Sequence, residues 1–305
     1  MTTTTIRRAV LLALALALVV PARALGGEQL DPNLGDEVLG KAGGVRYASD
    51  STPYAMSGYG EVDVGCGGTR WHLLGGGTRA DGPFAQAWLG SNRPLDHDDV
   101  DLAGDDGWKG AGYGPAGADG LTGYSACVRD RAVRYRRVEV ADDATADRTG
   151  TIDCGGDRWH LVSGSATIAP TGSWTHSSYP VDGDDPDRAP DDIWTARVYD
   201  AVDGIGGFAA YAVCVKGTDV RYVKPAVVTI AAGASVRRSA PCRNDEHVVG
   251  GGARLSGPAD EARLVASVPY DDGDADVAPD DGWRVEADNL AGDGKALRAF
   301  AICLG

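Results

Sequence analysis

Three stretches of this chain have the composition of a site for a hard cation. Pro94 to Trp108, Pro180 to Trp194 and Pro269 to Trp283 each hold six aspartates and neither glutamate nor lysine. Five columns match in all three. They are Asp96, Asp182 and Asp271; Asp99, Asp185 and Asp274; Asp101, Asp187 and Asp276; Asp105, Asp191 and Asp280; and Asp106, Asp192 and Asp281. Calcium takes about six to eight oxygen ligands in flexible geometry, and aspartates interspersed with backbone carbonyls can supply them. Crowded like charges cost stability unless a cation or solvent screens them. Ca2+ is therefore the cofactor these residues point to. The spacing is not that of an EF-hand, which needs a glycine in mid-loop and a closing glutamate. The same residues also suit a solvated turn, because aspartate readily bonds its own backbone.

Other residues recur with them. His72, His160 and His247 stand just before an apolar run each time. Around a threefold axis they could converge on a metal; otherwise they are half-exposed strand positions. Trp108, Trp194 and Trp283 close the aspartate loops. Exposed, they would stack on a cell-surface or glycan ligand; buried, they would anchor a core. Arg129, Arg131, Arg134, Arg136 and Arg137 could bind an anionic polymer or offset nearby acids. No Gly-x-Ser-x-Gly elbow, His-Glu-x-x-His or phosphate-binding glycine loop is present, and the glutamates do not recur in register. The paired carboxylates of a glycosidase are thus not in evidence, and the expectation is a protein that is not an enzyme.

These residues ride on a repeat. Val45-Arg46-Tyr47, Val133-Arg134-Tyr135 and Val220-Arg221-Tyr222 open three units, 45–132, 133–219 and 220–305. Each unit has a first cysteine (Cys66, Cys154, Cys242) and a second (Cys127, Cys214, Cys303). Trp71-His72-Leu73-Leu74-Gly75 and Trp159-His160-Leu161-Val162-Ser163 follow the first cysteine, and His247-Val248-Val249-Gly250 answers them. Repetition favours the bridges Cys66–Cys127, Cys154–Cys214 and Cys242–Cys303, since other pairings give equivalent cysteines different partners. No Cys/His spacing suggests structural zinc.

The second cysteines lie in runs of period two, the mark of a strand. Tyr124, Ala126 and Val128 alternate with Gly123, Ser125 and Cys127; Phe300, Ile302 and Leu304 alternate with Ala299, Ala301 and Cys303. Trp71–Leu74, Ala85–Leu89 and Arg263–Val268 also read as strands, and no helical period appears after residue 24. The predicted fold is all-β, with three tandem disulfide-stapled β-sandwich-like units of five or six strands. Connections of a few residues after Cys127 and Cys214 are too short for flexible linkers. The units should pack in a row, or in a pseudo-threefold, β-prism-like assembly.

Residues 1–24 read as a signal peptide. Arg7-Arg8 precede an apolar run from Ala9 to Val20, and Ala22-Arg23-Ala24 offers a cleavage site. Segment 25–44 is a leader, expected to be poorly ordered. Loss of Arg7, Arg8 and Arg23 takes the formal charge from −15 to −18. Such a chain repels nucleic acid and anionic membranes, and nothing downstream could span a bilayer. Cysteines in an exported chain form disulfides.

The pattern resembles tandem-repeat β modules of exported proteins from high-GC bacteria. The residues that carry it are clearest in the third unit: Gly250-Gly251-Gly252, Ser267-Val268-Pro269, Gly282-Trp283 and Phe300-Ala301-Ile302-Cys303. The resemblance covers all three units, with Ile193 in place of the glycine before Trp194. It implies a stapled β unit and export, and no particular activity. The expected function is a secreted surface-binding or structural protein with calcium-binding loops. The alternative is a carbohydrate-binding, lectin-like protein.

Overall fold

The computed structural model describes residues 37–42, 44–68, 70–96, 106–116, 120–129, 131–141, 145–156, 158–168, 172–183, 192–201, 207–217, 219–273 and 278–305. The signal-peptide segment lies outside them.

Glycine, proline and aspartate recur throughout this chain, so it folds as short strands. Among the described residues there is no helix. β1 (Glu37–Ala42) pairs antiparallel with β2 (Val45–Thr52), so the end of the expected leader is a strand. Then come β3 (Tyr59–Gly65), β4 (Trp71–Ala80), β5 (Trp88–Leu95), β6 (Gly107–Tyr113) and β7 (Leu121–Arg129). The second group is β8 (Val133–Val140), β9 (Asp147–Asp153), β10 (Trp159–Thr167), β11 (Ser173–Val181), β12 (Ile193–Asp200) and β13 (Phe208–Lys216). The third is β14 (Val220–Val223), β15 (Val228–Ile230), β16 (Ser235–Pro241), β17 (His247–Leu255), β18 (Ala262–Tyr270), β19 (Gly282–Asn289) and β20 (Lys295–Leu304). The strand expected over Ala85–Leu89 begins only at Trp88. Ala85 takes a positive φ of 57° in a turn, and its amide donates to Asp288 at 2.9 Å.

Each group makes two three-stranded faces. The strand of the second cysteine sits between the Val-Arg-Tyr strand and the strand after the first cysteine: β2-β7-β4, β8-β13-β10 and β14-β20-β17. The remaining strands form β3-β6-β5, β9-β12-β11 and β16-β19-β18. The two faces of a group pack together, stapled by Cys66–Cys127, Cys154–Cys214 or Cys242–Cys303.

The groups do not stand in a row. β4 pairs with β18 of the third group, and β17 with β11 of the second. Side chains join β5 to the second group: Ser91 bonds the backbone of Ile168 at 3.0 Å in both directions, and Thr175 donates to the Gly90 carbonyl at 3.0 Å. The three groups therefore close a ring within one unit, Asp36–Gly305.

The Val-Arg-Tyr tyrosines clasp that ring. Tyr47 donates to the Val248 carbonyl at 2.7 Å, Tyr135 to Leu73 at 2.7 Å and Tyr222 to Leu161 at 2.6 Å. Each hydroxyl reaches a neighbouring group, and each acceptor is the residue after the recurring histidine. A hydroxyl bonded to a buried carbonyl contributes about 1 kcal/mol net, and somewhat more when its loss strands the partner. Tyr47→Phe, Tyr135→Phe and Tyr222→Phe should each cost about 1–2 kcal/mol in urea unfolding, with costs that add across the ring. Unchanged midpoints would show that the clasps are incidental.

At the centre β4, β10 and β17 meet. A Cβ on Gly75 would strike Val249 and Ser163, and one on Gly250 would strike Val162, so only small residues fit. The next residues, Gly76, Gly164 and Gly251, lie under Trp108, Trp194 and Trp283, whose indoles occupy the space a Cβ would take. The glycine run is thus a packing requirement on both faces of one strand. At another point on the ring Trp88, Trp174 and Arg263 converge. The Arg263 guanidinium lies 4.5 Å from the Trp88 ring centre and 6.0 Å from that of Trp174, a buried cation against indole faces.

Candidate functional site

The aspartate loops hang from the disulfides. Cys66, Cys154 and Cys242 donate their amides to the carbonyls of Asp106, Asp192 and Asp281 at 2.6, 3.2 and 2.8 Å. The last aspartate of each loop is thereby fixed beside a bridge, two residues before a buried tryptophan.

Of the fifteen matching aspartates, Asp96, Asp106, Asp182, Asp192, Asp271, Asp280 and Asp281 are among the described residues. Asp99, Asp101, Asp105, Asp185, Asp187, Asp191, Asp274 and Asp276 lie outside them. The described carboxylates do not all behave alike. Some cap their own loop: Asp192 accepts from the Gly183 amide at 2.9 Å, Asp271 from Gly273 at 2.6 Å, and Asp281 from Asp272. That is the self-bonding expected of aspartate in turns. Asp96 and Asp182 behave otherwise. In both, Oδ1 is buried and has no hydrogen-bond partner among the described residues. They occupy the same column of the first two loops, and a buried carboxylate oxygen without a partner is unusual enough to need a reason. Asp271, their counterpart in the third loop, is exposed.

The recurring histidines do not meet. His247 Nδ1 lies 2.6 Å from Asp280 Oδ2 of its own loop, and the Val248 amide donates to the Asp280 carbonyl at 3.1 Å. The site residue Asp280 is thus tied to the strand that follows the first cysteine. Among the described residues, the acidic or histidine groups close enough to share an ion are Glu246 with Cys242 and Cys303. Those sulfurs form a disulfide and offer no thiolate, and Glu246 binds Arg221 and the Arg243 amide.

Trp108, Trp194 and Trp283 are at most 1% exposed. Their indole N–H groups donate to Asn92 at 3.3 Å, Ser178 at 2.9 Å and Ser267 at 2.9 Å. They are core anchors and present no face to a sugar. The arginine cluster is mostly engaged locally. Arg134 donates to the Cys154 and Gly155 carbonyls and lies over Trp159, while Arg136 and Arg137 pair with Asp153 and Glu139. In Val-Arg-Tyr the arginine ties down the turn after the first cysteine and the tyrosine reaches the next group. Neither role is legible without knowing what lies opposite.

No family model matches the chain, and no curated protein matches it. It is similar to chains in two solved virus structures. One is described as the triple jelly roll fold and turret assembly in an archaeal virus: 8% identity over 84% of each chain, TM-score 0.20. The other is Sulfolobus turreted icosahedral virus: 10% identity over 85% of this chain and 86% of that one, TM-score 0.18. Likenesses this weak carry no argument about fold or function.

Proposed function

We propose that the chain is an exported, non-enzymatic binding or structural protein of the cell surface, and that its aspartate loops bind calcium. The observation that carries the calcium reading is the pair of buried, unpartnered oxygens on Asp96 and Asp182. Each lies at the stem of a loop holding five further aspartates. A divalent cation gives such an oxygen the partner that the described residues do not. Three disulfides fit an oxidising compartment. No helix among the described residues is long and apolar enough to cross a membrane. The lectin alternative loses its stacking tryptophans, which are buried.

Extracellular calcium sites typically have dissociation constants of roughly 0.1–1 mM. Calcium at about tenfold excess adds about 1.4 kcal/mol per site, which raises the melting temperature of a chain this size by about 2–3 °C per site. Melting curves in EDTA and in calcium, with magnesium as control, should show that shift. Asp96→Asn and Asp182→Asn should each remove one increment. Asp271→Asn should remove little, because the native carboxylate already caps Gly273. If calcium causes neither a specific shift nor heat of binding, the loops are plain acidic turns.

A further inference from the structure

The ring has a second feature, apart from the aspartate loops. Where β11 and β12 meet β17 and β20, a cavity of about 450 Å3 opens to solvent. Arg197, Arg254 and Arg298 line it together with Thr149, Thr195 and Tyr179. Three guanidinium groups in one cavity stand out in a chain of net charge −15.

They are not equivalent. Arg197 is neutralised by a two-point bond to Asp147 and also holds the Gly257 carbonyl at 2.8 Å, so it is part of the wall. Arg254 and Arg298 face each other directly across the β17–β20 ladder. Among the described residues no carboxylate pairs with either one, and Arg298 Nε is buried without a partner. Like charges set opposite each other in a sheet are destabilising. Tyr179 nevertheless holds Arg254 in place. The guanidinium lies 5.6 Å from the ring centre, and the ring is backed by Phe300 at 5.6 Å.

The corresponding seam between the first and third groups is built differently. Its cavity, about 250 Å3, also contains arginines, but each has local company. Arg79, the counterpart of Arg254, pairs with Asp81 at 2.9 Å and faces Thr122 across the ladder. Arg237 pairs with Glu286 at 2.9 Å, and Arg284 lies over Tyr270. Among the described residues, two of the three arginines in the smaller cavity pair with carboxylates, whereas in the larger one only Arg197 does, which leaves Arg254 and Arg298 without one.

We propose that the β11–β17 cavity binds an acidic saccharide whose carboxylate sits between Arg254 and Arg298. Two guanidinium forks suit a planar carboxylate. The hydroxyls of Thr149 and Thr195 both donate and accept, which matches the hydroxyls of a sugar ring. The volume lies within the usual range for small-ligand pockets and far exceeds that of an inorganic anion. The negative charge of the rest of the chain disfavours a polyanion and favours a ligand with one or two charges.

The test is calorimetric titration of the exported protein, its disulfides intact, with digalacturonate, neutral digalactose and sodium sulfate, each in EDTA and in calcium. Digalacturonate should bind saturably and alike in both buffers, which separates this site from the aspartate loops. Digalactose and sulfate should bind about tenfold more weakly or worse. Arg298→Gln and Arg254→Gln should each weaken digalacturonate by about tenfold or more, as expected for loss of a charge-assisted hydrogen bond. Arg79→Gln should change nothing. Neither cavity variant should melt below the wild type, since each removes one of two facing like charges. Arg254 is exposed, so its replacement tests binding without disturbing the core. The proposal fails if digalacturonate gives no heat, if digalactose binds equally, or if both variants bind normally. Equal binding of sulfate would also overturn it, leaving a site for inorganic anions only.

Discussion

Reduction of the three disulfides should unfold the protein in the absence of denaturant. The bridges close loops of 61, 60 and 61 residues. In the chain-entropy view a loop of that length contributes about 4 kcal/mol by restricting the unfolded chain. Three together approach about 12 kcal/mol, which is most of the stability a folded chain ordinarily has. The loss should be cooperative, because the first-cysteine amides also hold the aspartate loops and through them the anchoring tryptophans. Tryptophan fluorescence reports it directly: Trp108, Trp194 and Trp283 move from a buried to an aqueous setting as dithiothreitol acts. Cys154 and Cys214 are buried, so reduction should be slow until part of the ring opens. Removing one bridge by Cys66→Ser with Cys127→Ser should cost about 4 kcal/mol and leave a folded, weaker protein. A fully reduced chain that keeps a cooperative melt and buried tryptophan emission would contradict this.

Acid should weaken the fold through one histidine. His176 on β11 is fully buried, with Nδ1 2.9 Å from the Ser177 hydroxyl, which in turn accepts the Leu255 amide across the seam. Burial, followed by the positive charge of Arg197, pushes the imidazole down to about 3. In the unfolded chain it titrates near 6.5. Between those values the unfolded state binds a proton that the folded state refuses. Stability is therefore complete above about pH 6.5 and declines as the pH falls toward 3, by roughly 4–5 kcal/mol in all. Unfolding free energies of wild type and His176→Gln, measured across that window, should converge as the pH falls. Parallel curves would mean that His176 protonates without penalty, or that its surroundings open first.

The period-two cysteine strands were legible because alternation shows locally. The bridges were legible because three units constrain one another. The seams were not. Tyr47 meets Val248 from the far end of the chain, and no local pattern marks a tyrosine as a clasp. The glycine run stood out as a signature, but its cause is the approach of three strands and three indoles, which only the assembled ring supplies. The tryptophans had two readings that differ only in burial. Arg254 and Arg298 gave no signal at all. Each looks like an ordinary outward-facing strand residue until the ladder sets them opposite each other.

The three seams differ in how they are held, and chain connectivity follows the difference. The seam between the first and third groups joins parts distant in sequence. It has two residue pairs in its ladder, Ala266 with Arg79 and Ser267 with Thr78. The seam between the second and third groups has one pair, Ser178 with Ala253, and a short tether from β13 to β14. Between the first and second groups, side chains make the described contacts, and residues 130–132 tie β7 to β8. A covalent tether raises the local concentration of one surface at another by orders of magnitude, so fewer bonds are needed where the chain already crosses. Cutting the polypeptide at 130–132 would therefore leave the first group held by two non-covalent seams, its side-chain contacts with the second group and its two-pair ladder with the third, and both would have to open for it to leave as a separate molecule.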